Sequence, residues 1–221
     1  MPLSQLQVGQ ITASDNTTPT ARGGRIGETM ISHTRSRFAE QAAQGNIFSM
    51  VLTATTTGVA AGNIVAAAAA ASTNFALFNP SNSGANYHIL KVGVGVISGT
   101  PGAGPMFHGL ISTGIPTVAT TGSIINHKTG KAGGSSALGW ATAAGTTLTG
   151  GGAPVTTRMA NFTSTATAAA SVGELNAIEI VDGDIVIAPG NGWVPLWGAA
   201  GTSLLNGYSV TWEEVPTCPN T

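Results

Sequence analysis

From Tyr87 to Ser98 apolar side chains recur at every second position. His88, Leu90, Val92, Val94 and Val96 fall on one face, and Tyr87, Ile89, Lys91, Gly93, Gly95 and Ile97 on the other. A period of two held over the whole run is the signature of an extended strand, not a helix. A strand of this length needs hydrogen-bonded neighbours and a second layer to cover its apolar face. Gly93 and Gly95, at successive positions of one face, predict a groove that another backbone or side chain can enter.

The rest of the chain repeats the theme in shorter form. Ile47–Leu52, Phe75–Phe78, Met106–Ser112, Ile115–Ile125, Val155–Thr163, Glu174–Val181, Ile185–Ala188, Trp193–Trp197 and Tyr208–Val215 read as strands. Between them stand turn signals: Asn79-Pro80-Ser81-Asn82-Ser83-Gly84, Asp182-Gly183-Asp184, Pro189-Gly190-Asn191-Gly192 and Asn206-Gly207. Pro195 assigns its strand to an edge or a bulge, and Lys128–Gly152, rich in Gly, Ala and Thr, reads as a long loop. Helix is predicted only over Ser36–Gly45, with Ser36 as N-cap and Gly45 just past the C-terminus. Many short strands separated by Gly/Pro/Asn turns predict an all-β fold, specifically a jelly-roll-like β-sandwich with one short helix and an extended N-terminal arm. The predicted divisions are an arm with its helix (1–45), a β domain (46–216) and a short tail (217–221).

Charge is the compositional anomaly. The 221 residues carry 8 Lys+Arg and 9 Asp+Glu, or 8% charged, about a third of the ~25% usual in soluble domains. A surface so poor in charge is most simply explained if neighbouring subunits cover much of it. Four of the basic residues, Arg22, Arg25, Arg35 and Arg37, crowd into the arm, which predicts a segment that reaches toward an acidic partner. The net charge of −1 predicts no attraction to nucleic acid or an anionic membrane. No run is apolar for long enough to span a membrane, and no positively charged leader precedes Arg22.

Chemistry-bearing motifs are few. Gly122-Ser-Ile-Ile-Asn-His127-Lys128-Thr129 approaches a phosphate loop, but His127 replaces the glycine that lets the backbone wrap phosphate. Gly93-x-Gly95 lies within a strand, which excludes a dinucleotide fingerprint. Asp182 and Asp184 read as a strand-to-strand turn rather than a cation site. Glu213 and Glu214, adjacent in a strand, point to opposite faces and form no catalytic pair; one is assigned to solvent and the other to a basic partner. His33, His88, His108 and His127 lack metal-ligand spacing, and Cys218 is the sole cysteine. The expectation is therefore a non-enzymatic protein without metal or cofactor.

Four segments carry a family resemblance: Arg37-Phe38-Ala39-Glu40-Gln41-Ala42-Ala43-Gln44-Gly45-Asn46-Ile47-Phe48, Phe75-Ala76-Leu77-Phe78-Asn79-Pro80-Ser81-Asn82-Ser83-Gly84, Val186-Ile187-Ala188-Pro189-Gly190, and Thr211-Trp212-Glu213-Glu214-Val215-Pro216. Together they resemble tailed-bacteriophage virion proteins of the head-decoration, or cement, type, over roughly residues 36–216. The resemblance implies a jelly-roll-like domain, a homo-oligomer (most often a trimer), and docking on the major capsid protein at the outer surface of the head. Contact candidates are Arg22, Arg25, Arg35, Arg37, Phe38, Gly93, Gly95, Trp193 and Trp197. The alternative is a receptor- or glycan-binding module of a fibre or spike, with Trp140, Trp193 and Trp197 stacking on sugars and Asp182 and Asp184 holding calcium.

Overall fold

The computed structural model describes residues 38–51, 59–60, 75–100, 104–112, 122–141, 154–164, 177–198 and 202–217. The chain divides into Met1–Glu40 and Gln41–Thr221, and all the β structure described belongs to the second unit. The elements are α1 (Ala39–Gln44), β1 (Ile47–Val51), β2 (Val59–Ala60), β3 (Phe75–Phe78), β4 (Ala85–Thr100), β5 (Gly104–Ile111), β6 (Ile124–Asn126), β7 (Leu138–Ala141), β8 (Val155–Ser164), β9 (Ala177–Ile187), β10 (Gly192–Trp197) and β11 (Thr202–Pro216). The predicted helix is present, and Gly45 closes it in the left-handed conformation, φ +89°. Gly45 N–H bonds Ala42 O and Asn46 N–H bonds Gln41 O, the paired arrangement that satisfies the last helical carbonyls.

Two antiparallel sheets form the domain. The first has the order β6-β1-β11-β4-β9, with β2 pairing β11; the second has the order β7-β3-β10-β5-β8. Their facing sides make the main core. Phe48, Met50, Tyr87, Ile89, Val92, Val94, Val181, Ile185, Ile187, Tyr208, Val210 and Trp212 come from the first sheet, and Phe75, Leu77, Met106, Ala160, Trp193 and Trp197 from the second. Tyr208 stacks on Phe75 across the gap, centroids 5.3 Å apart, and Phe75 meets Trp193 edge-on at 6.4 Å. The second sheet also has an apolar outer face, where Ala76, Phe78, Ile111, Trp140, Val194 and Leu196 form another buried cluster.

The structure brings together the four segments singled out in the sequence, two by two. Phe48 pairs with Trp212 between β1 and β11, and Glu214 N–H bonds Asn46 O. Asn79 N–H bonds Asn191 O, Gly190 N–H bonds Asn79 O, and the buried Asn79 amide donates to Ala85 O (2.7 Å) and Ile187 O (2.8 Å). These motifs are therefore seams of the sandwich.

Several expectations are corrected. On β4, Ile89 pairs Trp212 and Lys91 pairs Thr211, so Leu90 is an extra residue. This bulge reverses the alternation: Tyr87 and Ile89 face the core, and so do Val92 and Val94, while His88 turns outward with Lys91. Asp182-Gly183-Asp184 is no strand-to-strand turn. β9 runs on through it, two steps on β4 (Ile89 to Lys91) facing five on β9 (Ile185 to Ile180), with Asp182 at φ 65° and Gly183 at φ 88°. Asn206-Gly207 is no hairpin either: both lie inside β11, opposite Val96 and Gly95. Leu138–Ala141, within the predicted long loop, is the edge strand β7. β10 is a central strand, buried at all six positions. Pro195 is tolerated there because the ladder to β3 covers only Gly192 and Trp193, leaving Pro195 paired on the β5 side alone. The predicted strand Ile115–Ile125 is described only from Gly122 onward, and its last two residues enter β6.

Gly192 has no room for a side chain, because a Cβ there would overlap the Phe78 ring. Gly192→Ala is expected to destabilise the domain by about 1–3 kcal/mol through overpacking, read as a lowered midpoint in denaturant unfolding. An unchanged midpoint would refute the packing account.

Candidate assembly face and the polar tie behind it

The register of the first sheet lays its outer face out as a grid. One row is Val51, Ser209, Gly93 and Ile178; the next is Ser49, Thr211, Lys91 and Ile180; the third is Ile47, Glu213, His88 and Val186. Lys91 and Glu213 are the only formal charges in these rows. Beyond the first row Gly95 pairs with Gly207. Lacking side chains, they help form a groove of about 590 Å³ lined also by Val51, Ala177, Ile178 and Ser209. The predicted groove is present, with a correction at Gly93: a Cβ there would overlap Ser209 Oγ, so this chain's own serine uses that space.

Exposed apolar side chains concentrate at one side of the sandwich. Among the described residues the large exposed hydrophobics are Val51, Val155 (63%), Met159 (61%), Ile178 (75%), Ile180 (66%) and Val186. All but Val51 stand on β8 or β9, the outermost strands of their sheets. Arg158 of β8 reaches Glu179 (2.6 Å) and Asp184 (3.0 Å) of β9, so the two edges run alongside one another. Sequence reading missed this stripe. Its signal was present in Ile178 and Ile180, which alternate opposite Glu179: an acid on one side and isoleucines on the other marks a strand whose apolar side chains need not face inward.

Behind the edge lies a buried polar chain. Trp193 Nε1–H donates to His108 Nδ1 (3.1 Å), and His108 Nε2 meets Glu179 Oε2 (3.0 Å). Indole nitrogen only donates, so Nδ1 is the acceptor, and the neutral ring carries its proton on Nε2, toward the carboxylate. Glu179 then bonds Arg158, and Arg158 bonds Asp184. His108 is fully buried; burial, the larger effect, holds its pKa below 6.5 against the opposing pull of Glu179. Bonded to Trp193 of the second sheet and to Glu179 of the first, His108 ties the sheets together. Removing Glu179 strands the buried imidazole N–H and leaves Arg158 only its exposed contact with Asp184, so Glu179→Ala is expected to cost about 3 kcal/mol. Asp184→Ala, at the exposed end, should cost under about 1 kcal/mol. Denaturant titration of the two variants measures the contrast, and equal losses would contradict it.

The remaining sequence candidates fall as follows. Phe38 is half-buried at the start of α1. Arg22, Arg25, Arg35 and Arg37 lie outside the described residues, as do the rest of residues 1–37 and Cys218. Trp193 and Trp197 are buried in the core, Trp197 donating to Tyr208 Oη at 2.8 Å, and offer no surface to a partner or a sugar. Trp140 is buried as well, and Asp184 is occupied by Arg158, so the arrangement imagined for a calcium-dependent glycan site does not form. The phosphate-loop lookalike is organised differently: Asn126 Oδ1 takes the N–H groups of Lys128 and Thr129. Among the described residues there is no cluster of three or more metal-ligating side chains, and no helix is long and apolar enough to cross a membrane.

Glu214, assigned in the sequence to solvent or to a basic partner, turns inward instead. It accepts from the Ser135 hydroxyl and from Trp212 Nε1 (3.3 Å). Burial raises its pKa above 4.5, so its contribution to stability is present below that value and lost as pH rises through the folded pKa. Glu214→Gln keeps an acceptor and removes the charge. Its stability relative to the parent should therefore increase from about pH 4 to about pH 8, as followed by thermal melts; a gap that narrows over this range would contradict the assignment.

In comparisons with known proteins, no family model, curated protein or solved structure matches the chain.

Proposed function

We propose that this is a non-enzymatic virion structural protein of the head-decoration type, which assembles with copies of itself, as a trimer, and bridges major capsid proteins on the outer surface of the head. The observation that carries the reading is the gathering of exposed aliphatic side chains on β8 and β9, beside an outer sheet face nearly without charge. Exposed apolar area of this kind marks an interaction surface, and outer strands present backbone groups ready for pairing.

The strand order supports the jelly-roll form of the sandwich. Setting aside β2, β6 and β7 leaves eight strands. In chain order the first sheet takes the first, eighth, third and sixth, and the second takes the second, seventh, fourth and fifth. That is the alternation of two interleaved Greek keys. The resemblance to cement proteins rests on segments that serve as seams of this sandwich, in keeping with a scaffold role. Many copies on a lattice convert a modest free energy per contact into strong attachment, and arginines in the arm suit an acidic capsid surface.

Light scattering at several concentrations should give a mass above that of the 21.9 kDa chain, and Ile178→Asp combined with Ile180→Asp should return it to the monomer. A parent protein that is strictly monomeric would sink the assembly argument, and its absence from a mass-spectrometric inventory of purified virions would sink the virion reading.

A further inference from the structure

We propose that the chain Trp193–His108–Glu179–Arg158–Asp184 is an acid-operated latch: a proton taken up at His108 unfastens β9 from the second sheet at the β8–β9 edge, while the β4–β11 centre stays closed. The inference stands whether or not the protein decorates a capsid. Its basis is donor geometry. His108 has one acceptor, Nδ1, and Trp193 occupies it with an N–H. Imidazolium has donors at both nitrogens, so a protonated His108 faces an indole N–H with an N–H of its own. The ring must turn or withdraw, and the bond that fastens Glu179 to β5 goes with it. Both rings are fully buried, which leaves the separated groups without solvent to replace the lost bond.

The position of the tie gives it leverage. Glu179 is the buried acid of β9, and it holds the first half of that strand to β5 and β8. Beyond it the bulge at Asp182-Gly183 separates this half from Ile185–Ile187, which pairs independently with β4. The charged groups acting on His108 are Glu179 on β9 and Arg158 on β8, with Asp184 of β9 beyond Arg158. β5 and β10 add no other charge, and β4 brings His88 near Gly183 and Lys91 opposite Ile180, both on the outer face. Arg158 opposes protonation of His108 and Glu179 favours it, while burial opposes it most strongly. The lowered folded pKa makes the stability from the latch fully present above 6.5 and progressively lost as pH falls below it.

Hydrogen exchange of the full chain between about pH 8 and pH 5, corrected for intrinsic rates, tests the latch. One proton taken up on opening makes the opening constant of β9 rise about tenfold per pH unit below the ordinary histidine value. The change should be reversible and leave the amides of the β4–β11 ladder protected. His108→Gln, which supplies an acceptor and a donor but does not titrate, should abolish the response. His88→Gln and His127→Gln should retain it. The proposal is overturned if the β4–β11 ladder opens together with β9, if the His108 variant responds like the parent, or if either control variant loses the response. Should His108→Gln not fold, Trp193→Phe removes the N–H that competes with the proton, so His108 can be protonated without opening and the rise in opening below the histidine value should flatten; an undiminished rise is equally fatal.

Discussion

The ladder between β4 and β11 organises the domain. It runs from Ala85–Pro216 to Thr100–Thr202, and its flanks place the neighbouring strands of the first sheet: β1 and β2 against β11, β9 against β4, with β6 one strand further out on β1. Its inward side chains, Tyr87, Ile89, Val92, Val94, Tyr208, Val210 and Trp212, are the floor on which the second sheet rests. The irregularities of the sheet fall in step. Where β4 carries its extra residue at Leu90, β9 carries its larger insertion around Asp182, so after the disturbance both strands again present aliphatic side chains to the core. A bulge in one strand alone would have left its neighbour out of phase.

Much of this was legible in the chain. The strand succession, the single helix and its glycine stop, and the turn after Phe78 follow from alternation and turn chemistry. What escaped were places where a local signal competed with tertiary context. Asn206-Gly207 has the composition of a hairpin turn, but the long partner β4 holds it extended, and Asn206 Nδ2 donates instead to the buried Tyr208 hydroxyl (3.0 Å). Asp182-Gly183 adopts the left-handed conformations of a turn without reversing the chain. The inversion at Leu90 is invisible to a period-two count, because both registers put aliphatic residues inside for part of the strand. Pro195 signalled an edge strand or a bulge, but β10 is central and regular, and a short neighbour supplies the unpaired side that proline needs.

The site was less legible. Gly93 and Gly95 pointed to the grooved face, but the exposed stripe on β8 and β9 depends on which strands end up outermost, and topology decides that. The tryptophans near the C-terminus signalled a dense core and were misread as contacts. Scarcity of charge gains a spatial meaning. Of the few ionisable groups described, Glu179, Arg158, Asp184 and Glu214 are engaged with partners inside the domain or along its edge. Apart from Lys91, Glu213 and His88, the outer face of the first sheet is left to Ser, Thr, Gly and aliphatic residues.

The position of β11 has a consequence for how the protein comes to be folded. This strand is the last described in the chain, yet it sits between β1 and β4 in the middle of the first sheet. β10, only slightly earlier, sits between β3 and β5 in the second. During synthesis, β1 and β4 therefore wait for a partner more than a hundred residues away in sequence from either. Contacts of such long range close slowly, and until residue 216 has left the ribosome the earlier strands have open edges on the sides that β11 will fill. The nascent chain is exposed to mispairing until β11 has emerged, so the first sheet closes only once that strand is made.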